Sequence, residues 1–420
     1  MKKLLILLLL SITLCITGCR NNDRSGISPV SQEPELTEEE KAAIRREETL
    51  LPVLEEAENL ALGYYYEEAL DCLANVPEEF LEDEEVLSVS EQYKNALDSF
   101  VPYEEPVRHI FFHSLIVDTS LAFDGDYMEN GYNYWMTTAD EFRAMLEELY
   151  KNNYILIDIH DLCRETVDEK GNITLTANHP MVPEGKLPLV LSVDDVNYYE
   201  YMKEDGFARK LLLDENGDVK NLYIDKGGKE LIGDYDVVPI LDSFVKEHPD
   251  FSLRGNKGII ALTGYEGTMG YRTNDPKSPT YEQDQTDAMA VARRMKETGW
   301  QFAVHGWGHR HTAQISYDSL VTDTNRWKAE VGSLVGDTDI YIYPYGEEVD
   351  YPSDKLTYLQ SEGFRYFCGV WSKAFVSVKD TYVRQSRCNL DGFAMKTRPE
   401  AIADLFDTEK VLDTSRPELR

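Results

Sequence analysis

Val190-Leu191-Ser192-Val193-Asp194-Asp195 is an apolar run that ends on two adjacent carboxylates. Such a run reads as a strand buried in a parallel sheet, and it delivers both acids at its C-terminal tip, where α/β scaffolds keep their chemistry. A second strand-like run leads into His305-Gly306-Trp307-Gly308-His309. Its two imidazoles, four residues apart, are expected on one face of a helical turn, where they can grip one ion. Each motif has a plainer reading alone, since an Asp pair often caps a helix and a His pair can arise by chance. Together Asp194, Asp195, His305 and His309 can supply a general base and three metal ligands. Three protein ligands keep a position open for water, which is the arrangement of a catalytic zinc-like site rather than a structural one.

Outward from these motifs the texture is regular. Strand-like runs at 108–113, 154–159, 187–193, 258–263, 300–305, 339–343 and 366–370 alternate with helical stretches such as 138–152, opened by the capping box Thr138-Ala139-Asp140-Glu141, and 284–298. Residues 105–420 therefore predict an α/β domain with a parallel sheet, most simply a barrel, lengthened by insertions at about 196–235 and 264–283. Before it, residues 35–100 have helical spacing, with breaks at Pro52, Gly63 and Pro77 and a start at Thr37-Glu38-Glu39-Glu40. Leu60 to Leu70 looks like part of a tetratricopeptide-type hairpin in a single copy. A small spacer is the simpler role for it, and binding of a protein partner the sharper one.

The first residues have the pattern of a secretory signal: Lys2 and Lys3, then an apolar run from Leu4 to Ile16 that is too short to span a bilayer as a mature helix. Ile16-Thr17-Gly18-Cys19 resembles a bacterial lipobox. The resemblance implies that residues 1–18 are removed, Cys19 is lipidated, and 19–34 form a tether. The expected location is extracytoplasmic, on a membrane through the lipid anchor. A net charge of −35 excludes nucleic acid as a partner and would attract a cationic ligand such as an amino sugar. The remaining cysteines, Cys72, Cys163, Cys368 and Cys388, form no disulfide framework and no CxxC pair, and Cys368 with Cys388 is the one combination worth testing for a bridge.

The order strand-Asp-Asp, strand-HxxxH and Tyr341-Ile342-Tyr343-Pro344-Tyr345-Gly346 resembles the polysaccharide deacetylases of carbohydrate esterase family 4, the NodB-like group. The resemblance implies a distorted (β/α)7 barrel that removes N-acetyl or O-acetyl groups from a polysaccharide. It makes Asp194 the base and Asp195, His305 and His309 the ligands of a divalent ion, zinc before cobalt or nickel. The Tyr345 turn becomes a wall of the groove. Three features depart from that family. Val196 and Asn197 follow the Asp pair where a Gly is usual, Ile342 stands where an Arg often touches the base, and no His follows His311 to serve as the acid. In the permuted branch, similar to deacetylases of poly-N-acetylglucosamine, the acid lies on the first strand, and Phe111-Phe112-His113 matches it.

On this reading His113 protonates the leaving amine, and a backbone N–H near Tyr345 meets the oxyanion. Arg272 and Arg387 are candidates for the missing Arg beside Asp194, and Trp307, Tyr345 and Trp371 for stacking on sugar rings. His311, off the HxxxH face, reads as a surface or outer residue; His109, His160, His179 and His248 read as structural. The expected partner is an acetylated cell-surface glycan. Two other readings stand: an inactive deacetylase-like lipoprotein that binds glycan, and an envelope-assembly lipoprotein whose helical segment does the work.

Overall fold

The computed structural model describes residues 36–419, so the expected signal peptide, Cys19 and the tether lie outside the described residues. Eight strands carry the fold: β1 (Arg108–Phe112), β2 (Tyr154–Leu156), β3 (Leu187–Asp194), β4 (Gly258–Leu262), β5 (Trp300–Val304), β6 (Ile340–Ile342), β7 (Tyr366–Val370) and β8 (Tyr382–Asn389). Seven of them close a parallel ring in the order β4–β5–β6–β7–β8–β1–β3, with β3 pairing back onto β4. The ring is uneven on one side. β3 pairs with β2 over Leu187–Leu189 and with β4 only over Ser192–Asp194, so β2 props open the lower half of that seam. This is the distorted (β/α)7 barrel the motifs imply, and its seventh strand, β8, is one the apolar pattern did not announce.

Period-two alternation sorts each strand's side chains between the barrel interior and the surrounding helical layer. Ile259 and Ala261 of β4, Ala303 of β5, Ile340 and Ile342 of β6, and Cys368 of β7 share one apolar cluster. Their neighbours Ile260, Leu262, Phe302, Val304, Tyr341 and Phe367 belong to the larger cluster formed with the helices. Val190 lies in the first set and Leu189, Leu191 and Val193 in the second. Ser192 and Asp194 therefore point inward with Val190. The same count turns His109, Phe111 and His113 inward at β1, and Val383, Gln385 and Arg387 at β8.

Helices α1 (Leu51–Leu62), α2 (Tyr66–Ala74) and α3 (Glu84–Asp98) form the expected helical segment. Pro52 lies in the first turn of α1, where a missing N–H costs nothing, and Gly63 closes it. Their shared core is Leu50, Ala57, Ala69, Leu73, Val76, Val86 and Tyr93. From Leu50 onward helices and barrel form one compact unit. The Tyr64 hydroxyl donates to the Asp250 carbonyl at 3.1 Å and the Arg254 N–H to the Gly63 carbonyl at 2.9 Å. Ahead of it, Glu38–Arg45 is a helix with the expected capping box of Thr37 and Glu40.

Two short elements frame the barrel mouth, α4 (Glu129–Trp135) and, after α5 (Ala139–Lys151) and α6 (Tyr281–Glu297), α7 (Gly392–Thr397). The Thr138/Glu141 capping box opens α5 as expected. The insertion after β3 is a three-stranded antiparallel sheet, 210–213, 219–224 and 230–233. The Cys368–Cys388 pair is not bridged: all four described cysteines are free, and the β7–β8 register sets Cys368 against Gln385. No helix among the described residues is long and apolar enough to cross a membrane.

Candidate active site

Asp194 is the last residue of β3 and is 3 % exposed, while Asp195 turns out of the strand with φ +58°. That left-handed step separates the neighbours, one into the barrel and one onto its rim. A Gly is the usual residue for such a turn. Here Asn197 closes it, donating from Nδ2 to the Thr263 carbonyl at 2.9 Å and to the Gly267 carbonyl, and accepting from the Thr263 N–H at 3.3 Å.

The His pair is not on a helical turn. Residues 305–310 are a loop, with φ +66° at Gly306 and +49° at His309, and the sequence expectation of a helix is corrected here. Asp323, buried on the following helix, holds this loop by accepting the Trp307 and Gly308 N–H groups at 2.6 and 2.9 Å. A side chain at Gly306 would strain that backbone and press on Asp323 at 3.1 Å. The two glycines between the histidines were the available sign that no helix would form.

The loop nevertheless brings the ligands together. One donor atom from each of Asp195, His305 and His309 lies within 4.8 Å of the others, and His309 Nε2 is 3.6 Å from Asp195 Oδ2. His305 Nδ1 can only donate to the Ile342 carbonyl at 2.9 Å, which leaves Nε2 with its lone pair toward the cluster. Burial lowers the pKa of His305 against the pull of Asp194 and Asp195, so the ring is available as a neutral ligand. Tyr199, which the sequence gave no reason to single out, donates to Asp195 Oδ1 at 2.7 Å and shares a 2.8 Å hydrogen bond with Thr263. A donor set of two imidazoles and one carboxylate, with His305 and Asp195 each oriented by an outer partner, fits a zinc-like ion.

Asp194 stands beside the cluster, with Oδ2 3.8 Å from His305 Nε2. Its Oδ1 accepts from Arg387 Nη1 at 2.6 Å, and the Arg387 side chain is 1 % exposed. Burial pushes the Asp194 carboxyl up, but Arg387 and then His305 outweigh it and hold the group well below the usual carboxylate range. Arg387 thus stands where Ile342 cannot. Arg272 is spent elsewhere, on Glu200 and on the carbonyls of Tyr198 and Glu266.

Arg387 is itself held from below. Burial first, and Arg387 second, bring His109 down to about 3, so its ring is neutral. Gln385 donates from Nε2 to the Val107 carbonyl, which leaves Oε1 to accept from His109 Nδ1 at 3.0 Å. His109 Nε2 then accepts from Ser192 Oγ at 2.8 Å, and Ser192 Oγ accepts from Arg387 Nη1 at 3.2 Å. The residue read as structural is therefore the foot of a ladder that ends on Asp194. Arg387→Met should uncover the buried Asp194 charge and cost about 3–5 kcal/mol at neutral pH. Because the wild-type carboxyl is depressed, its contribution persists down to its low folded pKa. The variant's carboxyl rises and takes up a proton early, so the deficit should shrink as pH falls through about 4. Guanidinium unfolding of metal-stripped protein at pH 7 and pH 4 measures this, and equal stability of the two chains at pH 7 would refute it.

His113 follows β1, half-buried above Phe111 at the same mouth. It lies close enough to both Asp194 and the buried Asp391 to favour their ionised forms, and Asp391 caps α7 by accepting the Ala394 N–H at 2.7 Å. Tyr345 (φ +60°) lies 4.5 Å, ring to ring, from His309 and is stacked at 3.9 Å on His311. His311 is a rim residue, 3.0 Å from Glu347. Tyr345 and Trp371 are 56 % and 55 % exposed and free to meet a ligand. Trp307 is not: Arg326 covers its ring at 3.3 Å and Glu330 takes its indole N–H at 2.8 Å. Its expected stacking role is corrected to one of bracing the loop at 305–309.

The seven-stranded barrel carries this cluster at the C-terminal ends of its strands. Residues 274–367, which hold His305, His309 and the Tyr345 turn but not the Asp pair, match the polysaccharide deacetylase family model. No curated protein matches the chain. Among solved structures, a Streptococcus pyogenes deacetylase, PplD, in complex with acetate is similar at 12% identity and TM-score 0.42, over 73% of this chain and 99% of its own. A polysaccharide deacetylase from Bacillus cereus is similar at 12% identity and TM-score 0.40, over 74% and 70% of the two chains. The BpsB deacetylase domain from Bordetella bronchiseptica is similar at 12% identity and TM-score 0.28, over 51% and 74%. At such scores these likenesses decide nothing about activity.

Proposed function

We propose that the protein is a metal-dependent deacetylase that hydrolyses N-acetyl groups of a cell-surface polysaccharide, anchored outside the cytoplasm by lipid on Cys19. The observation that carries this reading is the placement of an ionised, arginine-held carboxylate, Asp194, beside three convergent ligand atoms that do not include it. A divalent ion on Asp195, His305 and His309, zinc before cobalt or nickel, would supply a Lewis acid for the acetyl carbonyl and lower the pKa of the attacking water.

The chain's own groups account for the proton movements. Asp194 takes the water proton as the carbonyl is attacked, and Arg387 fixes which oxygen it presents. The Tyr345 backbone N–H is the donor we place at the developing oxyanion. An amine leaves poorly unless protonated, and His113 supplies that proton. Arg387 beside Asp194 supplies the Arg that Ile342 does not, which speaks for the enzyme over an inactive glycan-binding protein.

The test compares acetate release from N-acetylglucosamine oligomers and from an activated aryl acetate. His113→Ala should lower amide hydrolysis by about 10²–10⁴ while sparing the aryl ester, whose leaving group needs no proton. Equal losses on both substrates would remove His113 as the acid.

A further inference from the structure

The barrel mouth carries a second aromatic feature that the reaction does not use. Tyr134 and Phe393 are stacked at 5.6 Å and 20°, and Trp135 lies 5.7 Å from Phe393, joining α4 to α7. Trp135 is 50 % exposed. A mobile exposed indole would need no explanation, but this one is built in. Arg416, its side chain fully buried against Glu141, donates to the carbonyls of Asn133 at 3.0 Å and Met136 at 2.7 Å, on either side of the aromatic pair. Asn133 Nδ2 donates to the Pro417 carbonyl at 3.0 Å, and Thr137 Oγ1 to the Leu390 carbonyl at 2.5 Å. Gly392 lets α7 approach, since a Cβ there would lie 2.1 Å from the Asn133 carbonyl.

Rigid aromatic faces left open to water suit the apolar face of a pyranose ring, which binds without costly ordering of the protein. Position favours the same occupant. The connection that carries α4 and Trp135 begins at His113, and Phe393 is two residues beyond Asp391, whose carboxyl lies within the field of His113. Trp135 is the one exposed ring of the three, with Tyr134 and Phe393 partly buried behind it, so the open apolar area is far below what a stable protein partner needs. The net charge of −35 opposes an anionic lipid surface.

We propose that Tyr134, Trp135 and Phe393 form a distal subsite that stacks a sugar ring of the same glycan chain, beyond the residue whose acetyl group is removed, so that a chain long enough to reach it is preferred over a substrate that cannot. This rests on the deacetylase reading, and two measurements keep the two apart. In the first, Trp135→Ala should lower the ratio of kcat/KM for an N-acetylglucosamine hexamer to that for an aryl acetate by roughly two- to tenfold, and Trp135→Phe should restore most of it. In the second, the hexamer is titrated into full-length Asp194→Asn protein, with and without Trp135→Ala, and binding should weaken by a similar factor. An unchanged ratio with unchanged binding would overturn the subsite, as would Trp135-dependent sedimentation with phosphatidylglycerol vesicles in place of sugar binding. If the wild type released no acetate from any glycan, the deacetylase reading would fall and the titration alone would decide the subsite.

Discussion

Asp194→Asn should keep its metal and lose about 10²–10⁴ in turnover, because it removes the base while leaving the ligand set whole. The substitution is mild in shape. An Asn oxygen can still accept from Arg387, so the ladder from His109 through Ser192 keeps its last rung. Asp195→Asn should behave differently, losing metal and activity together, since its carboxylate faces His309 and is already oriented by Tyr199. Metal content of the two purified variants, beside acetate release, separates the roles. Equal metal content in both would mean that the division between the neighbours is wrong.

His305→Ala/His309→Ala should abolish both stoichiometric metal and turnover, the largest effect we expect. Two of three ligands go, and a lone carboxylate on the rim cannot hold a transition metal against water. The fold should survive, because the loop is pinned by Asp323 through Trp307 and Gly308 rather than by either imidazole. Stoichiometric metal retained by the double variant would place the ion elsewhere and sink the site.

What could be read from the chain and what could not divides along physical lines. The strand ending in Asp194 was legible because a parallel strand buried on both faces is a continuous apolar run, and Leu187 to Val193 is one. β8 was not, because its inward residues Gln385 and Arg387 are polar, and Tyr382–Asn389 has no apolar pattern to betray a barrel strand. The residue that completes the site therefore sat on the strand that pattern reading passes over. Arg387 was named as a candidate beside Arg272, and only the closed ring, which brings β8 next to β1 and β1 next to β3, decides between them. The ligands themselves were legible as residues but not as a shape. Local rules put an HxxxH pair on a helix, whereas positive φ at Gly306 and His309 makes a loop achieve the same convergence. Trp307 shows the converse limit: a Trp in a motif says nothing about which side chains cover it, and Arg326 and Glu330 do.

The central claim is that Asp195, His305 and His309 hold an ion without which Asp194 and His113 cannot remove an acetyl group from an amide. Free acetate released from N-acetylglucosamine oligomers by the full chain, before chelation, after it, and after zinc is restored, tests this most directly. Release should disappear with the metal and return with it. Release undiminished in the stripped protein, or none from the zinc-loaded protein on any acetylated glycan, would contradict it.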